Sequence, residues 1–186
     1  MRHAFVVVSL LVMLLSCSSG PTPAAPPVCD QLCLDGIATR GLRETMKQIF
    51  NFTFQGKDVG MHDYSIPCPL GGKARIFGTA TSNAVQGAIE VDITFELDAC
   101  VLLSRDTDAK QNYDLASTGT IHEKGIISVQ PTATTALGIQ SDSVTIEGTV
   151  YDPPVSYDAA ACPLVLSQDG NTLSGMICGR TTTISL

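Results

Sequence analysis

Few side chains in this 186-residue chain are of a type that does chemistry, and most of those are thiols or carboxylates. Of its seven cysteines, Cys29, Cys33, Cys68, Cys100, Cys162 and Cys178 lie beyond the first 28 residues. In an exported chain an even set of thiols reads as a disulfide framework, and turn positions narrow the pairing. A hairpin centred on Ala84 sets Cys68 opposite Cys100. A second, turning at Gln168-Asp169-Gly170-Asn171, brings Cys162 within one residue of register with Cys178, and its Asp-Gly step is a strong turn signal. Cys29 and Cys33 remain at i, i+4, a spacing that suits a bridge only at a frayed helix start; alternatively each ties the N-terminal region to a strand. Zinc held by thiolates would want Cys-x-x-Cys pairs, and the chain has none.

Catalysis by a Ser-His-Asp set needs an imidazole near a hydroxyl and a carboxylate. His62, in Met61-His62-Asp63-Tyr64, reads as part of the connection before the strands. His122, ahead of Glu123-Lys124-Gly125, reads as a surface turn, and no Gly-x-Ser-x-Gly elbow is present. Glu90, Asp92, Glu96 and Asp98 sit on alternate residues and could supply the two acids of a glycosidase, spaced about 5 to 10 Å apart. Their alternation fits a wet strand face better, and a chain without tryptophan lacks the usual sugar platform. Asp106-Thr107-Asp108, with Gln111, Asn112 and Asp114, offers oxygens of the kind calcium takes, but without the turn glycine and closing glutamate of an EF-hand loop. The residues therefore predict no enzyme, no metal and no cofactor.

The elements that would carry these groups divide into one helix and many strands. Over 30–50, Leu34, Ala38, Leu42, Met46, Ile49 and Phe50 recur at helical steps, while Arg40, Arg43, Glu44 and Lys47 fall elsewhere. Gly36 and Gly41 weaken its first half. From Ile89 the period becomes two: Val91, Ile93, Phe95, Leu97, Ala99, Val101 and Leu103 share a face opposite the carboxylates. Strands are predicted at 73–81, 88–100, 113–121, 126–130, 144–151, 162–167, 173–178 and 181–186, joined by short turns. Gly78-Thr79, Gly119-Thr120 and Gly148-Thr149 could mark bends within them. The expected fold is α+β and mostly β, one N-terminal helix packed against a curved antiparallel sheet; the alternative is a β-sandwich with a flanking helix.

Composition bounds the function classes. Eleven basic against 18 acidic side chains give a formal charge of −7, which excludes a phosphate-tracking nucleic-acid binder. At 44% apolar the chain is too hydrophobic for intrinsic disorder, and its length suits one domain.

The first segment reads as an address. After Met1-Arg2-His3, the run from Ala4 to Leu15 is apolar apart from Ser9, too short to span a bilayer and shaped like the core of a secretory signal. Leu14-Leu15-Ser16-Cys17 resembles the lipobox of bacterial lipoproteins, read by signal peptidase II. The resemblance implies cleavage after residue 16, acylation of Cys17 with palmitate-like chains, and anchoring in the cell envelope; Ser18 implies outer-membrane sorting. Residues 17–28, rich in proline, would then form an extended tether of about 30 Å, and 29–186 a single disulfide-containing domain with formal charge −8. Two or more acyl chains hold a protein stably at a membrane. The expected role is a non-catalytic structural or interaction domain with an envelope protein as partner. The alternative is a carrier of a hydrophobic ligand, marked by an apolar void of about 300 Å³ or more; a hydrolase is the third reading.

Overall fold

The computed structural model describes residues 29–83, 87–128 and 134–186; the signal-like segment, Cys17, the proline-rich tether, Ala84 and Gln130 lie outside the described residues. Helix α1 (Gln31–Thr53) begins at an N-cap, where the Asp30 side chain accepts from the Cys33 backbone N–H at 2.9 Å. The Cys29–Cys33 disulfide closes around this first turn, at the helix start where an i, i+4 bridge is feasible. Buried Thr39, Thr45 and Thr53 each donate their hydroxyl to the carbonyl four residues back, so three polar side chains enter the core satisfied.

Eight strands follow: β1 (Gly60–Pro67), β2 (Lys73–Asn83), β3 (Ala88–Ser104), β4 (Tyr113–Ser128), β5 (Ala136–Val150), β6 (Val155–Asp169), β7 (Thr172–Ile177) and β8 (Arg180–Ser185). They form one antiparallel sheet in chain order, left open between β1 and β8, so the two-sheet sandwich is overturned. The meander follows from the sequence, because short turns join neighbours and no crossover helix intervenes.

The four central strands run 15 to 17 residues, about three times the usual length, and they are broken by bulges. On β3 the register shifts between Leu97 and Cys100, with Ala99 at φ 47°. The expected face therefore holds from Val91 to Leu97 and then reverses: Cys100 and Leu102 are buried while Leu103 is exposed. Gly78 and Gly148 sit at φ 136° and 140°, where a Cβ would lie 2.3 and 2.1 Å from the backbone oxygens of Asp92 and Asp114 on adjoining strands. Only glycine fits there, as the bend reading of the Gly-Thr pairs requires.

Several strand limits need correction. The expected turn at Glu123-Lys124-Gly125 is continuous strand, and the segment read as 113–121 and residues 126–128 of the next form one element, β4. The break at Ser141-Asp142 is a bulge inside β5, and β6 begins at Val155 rather than Cys162. Strand β1, with His62 in it, replaces the expected connection; its alternating but weakly apolar residues are only half-buried.

Leu42, Met46 and Ile49 of α1 and Ile76, Phe95, Ile121, Ile146 and Leu164 of the strands are each at most 2% exposed and belong to one buried cluster. The two helix glycines, which propensity counts as a weakness, have a packing reason: a Cβ on Gly36 would lie 2.9 Å from Ile184, and one on Gly41 the same distance from Leu115.

Candidate functional site

Three of the four outward carboxylates of β3, Asp92, Glu96 and Asp98, are ion-paired. Asp92 accepts from His122 Nε2 and Lys124 Nζ, both at 2.7 Å, and these two bonds hold its carboxyl below the ordinary range. Glu96 shares Arg75 with Asp63 at 3.2 and 2.7 Å, and Asp98 meets Lys73 at 3.3 Å. All lie at the surface, where water screens them, so the pairs add little to stability. His122 thus reaches a carboxylate on an open strand face, from β4 and not from a turn. His62 turns Nε2 to the Asp58 carbonyl at 2.7 Å, stacks on Tyr64 and meets the edge of Phe54. Neither histidine adjoins a serine or threonine hydroxyl among the described contacts.

The loop offered for calcium closes on itself. Asp106 accepts from the Asp108 backbone at 2.9 Å, Asp108 caps the 3-10 helix Ala109–Gln111 through Lys110 N, and Asn112 accepts from Asp106 N and donates back to two carbonyls. Gln111 ends that helix and Asp114 faces Arg105 at 3.8 Å. No group of three metal-ligating side chains occurs among the described residues.

All six thiols are bridged as Cys29–Cys33, Cys68–Cys100 and Cys162–Cys178. The register reasoning behind Cys68–Cys100 is corrected, and that behind Cys162–Cys178 holds to one residue. The β2–β3 ladder runs from Lys73↔Asp98 to Asn83↔Ala88, three residues away from setting Cys68 opposite Cys100. Cys68 instead sits in the β1–β2 turn, which bonds to β3 through Val101 N and Gly71 O, and Cys100 follows the bulge. The β6–β7 ladder, with Leu164↔Ile177, is one residue off the direct pairing of Cys162 with Cys178.

Two buried polar clusters connect α1 to the sheet. In the first, Asp35 is 1% exposed and accepts from Tyr157 Oη at 2.8 Å, from Arg180 Nε and Nη2 at 2.7 and 2.8 Å, and from Gln31 at 2.9 Å. Burial works to raise its pKa, but the bonds from Arg180, Tyr157 and Gln31 outweigh it and hold the carboxyl low. Burial and the same carboxylate push the Tyr157 phenol up.

The second cluster lies under a cleft of about 620 Å³ between the C-terminal half of α1 and the adjoining ends of β3, β4, β5 and β6. Arg43 donates Nε to Gln168 at 2.8 Å and Nη1 to Glu123 at 3.3 Å, while Gln168 donates to the Gly170 carbonyl. Glu123 is 1% exposed, and its Oε1 has no hydrogen-bond partner among the described residues. Burial pushes its carboxyl above the usual range against the pull of Arg43. Glu44, Lys47, Phe50, Ile89 and Ile127 complete the part of the lining that bears on a ligand.

Arg43 and Glu123 were legible only in part. Helical spacing puts Arg43 on the polar side of the helix, yet it lies four residues after buried Thr39 and seven before Phe50, on the buried stripe. Glu123 has the parity of Leu115 and Ile121, which marks the inner face once the turn is dismissed. Comparison with protein-family models, curated proteins and solved structures returned no match to this chain.

Proposed function

We propose that the chain is a bacterial envelope lipoprotein held by acyl chains on Cys17, whose domain from residue 29 onward acts without catalysis as a structural or interaction module. The observation that carries this reading is the cysteine account: six thiols are bridged, and the one left over stands at the end of Leu14-Leu15-Ser16-Cys17. Three disulfides suit an oxidising compartment. Outer-membrane placement rests on Ser18, and the partner is expected to be another envelope protein. For the finer architecture we read α1 as lying along the inner face of a curved open sheet, a reading supported by their shared buried cluster and by the Asp35 and Arg43 links.

The carrier reading draws support from the cleft volume of about 620 Å³, above the lower bound of about 300 Å³ for a ligand site. Its charged lining speaks against a purely hydrophobic cargo. Intact mass of the membrane-extracted protein tests the anchor: diacyl or triacyl mass on a chain beginning at Cys17 is expected, and an unmodified Cys17 refutes it. Crosslinking in intact envelopes, followed by identification of the captured protein, tests the interaction role.

A further inference from the structure

We infer that the cleft over Arg43 and Glu123 binds a small organic carboxylate, its head on Arg43 Nη2 and Glu123 Oε1 and its apolar body along Phe50, Ile89 and Ile127. The inference goes beyond the anchoring role and does not depend on it.

Three observations converge. The volume of about 620 Å³ is that of a small-molecule site. Its floor carries a side chain 1% exposed whose Oε1 has no partner among the described residues, and orphaned buried polar atoms are uncommon in proteins because each costs its full desolvation. Arg43 uses Nε and Nη1, and Nη2 has no partner among the described residues.

Charge selects the ligand class. Glu44 and Lys47 pair with each other at 3.5 Å, leaving Arg43 and Glu123 to face the ligand. An ammonium placed on Glu123 would be driven against the Arg43 guanidinium. A carboxylate satisfies both: one oxygen accepts from Nη2, and the other shares a proton with the Glu123 carboxyl, which burial favours in its neutral form. Phe50, Ile89 and Ile127 offer an apolar strip for a short hydrocarbon body, beside polar side chains such as Asn51, Gln55 and Asn171.

The test is calorimetric titration of the full chain with octanoate, octanol and octylammonium at near-neutral pH. Octanoate is expected to bind at least tenfold more tightly than either analogue, the discrimination of a charge-assisted hydrogen bond. Arg43→Gln combined with Glu123→Gln replaces the Arg43–Glu123 contact by a neutral amide pair and is expected to erase the preference, octanoate then binding no more tightly than octanol. Glu123→Gln alone leaves Arg43 its charge and a hydrogen-bonding partner, and is expected to keep the preference for octanoate even if the double variant fails to fold. Equal binding of octanoate and octanol, tighter binding of octylammonium, or no octanoate heat at about 10 mM, a concentration that detects millimolar affinity, overturns the inference.

Discussion

Asp35 offers the sharpest test of how α1 is held. Asp35→Ala removes four accepted hydrogen bonds at once, but they are unequal. Arg180 is two-fifths exposed and Gln31 lies at the surface, so water replaces most of what those two lose, leaving a cost of about 1 kcal/mol. Tyr157 is 3% exposed, and its hydroxyl would be left dry and unpaired, at about 1–3 kcal/mol. The expected loss is about 2–4 kcal/mol, a fall of roughly 5–15 °C in Tm for a domain of this size. Thermal unfolding followed by circular dichroism measures it. Adding Tyr157→Phe removes the stranded hydroxyl, so the double variant should recover about 1–2 kcal/mol relative to Asp35→Ala. The pH dependence has a definite sign. A carboxyl whose folded pKa is depressed stabilises above its unfolded pKa, and that contribution fades as pH falls through the folded value. The gap between wild type and Asp35→Ala should therefore close below about pH 4. A Tm change under about 1 °C at pH 7, or strict additivity of the two substitutions, would refute the account.

Glu123 has the opposite sign: its folded pKa is raised, so its contribution is complete below the unfolded value and is lost as pH rises through the folded one. Wild type should lose Tm relative to Glu123→Gln as pH rises from about 4 through the raised folded value, and parallel profiles would contradict this. Thr182 is fully buried with its hydroxyl unpartnered among the described residues, so Thr182→Val should raise stability by up to about 1 kcal/mol in chemical denaturation. Replacing Cys68 and Cys100 by serine opens a 32-residue separation and should cost about 3–4 kcal/mol by loop entropy, whereas Cys29 with Cys33, separated by 4, should cost about 2 kcal/mol.

Helical spacing located α1 because its apolar residues repeat at three and four, and period-two alternation located the middle of β3. The same reasoning missed β1, whose Gly60, Asp63 and Ser65 dilute the pattern, and it cut β4 at Glu123-Lys124-Gly125, a composition usual in turns. The bulge at Ala99 could not be anticipated from alternation, since one inserted residue reverses every face that follows. The cysteine pairs emerged correctly from approximate registers because each bridge lies just beyond a ladder, where the backbone adjusts. The cleft was hidden for a different reason: it needs a buried arginine from the helix and a buried glutamate from a strand, and each alone reads as surface charge.

The clamp at Cys29–Cys33 bears on how the domain meets mechanical load. A pull on the chain ahead of Cys29 cannot peel the first helical turn, because the bridge and the Asp30 cap close it. The force passes instead to Asp35 and Arg40, and through Arg180 and Ser185 into β8, an edge strand paired to β7 over only six residues. Beyond β7 it meets the Cys162–Cys178 bridge, which joins the end of that hairpin to β6. The covalent links stand at both ends of this load path, so the polar contacts between them act as its fuse, and rupture would begin at the Asp35 bridge.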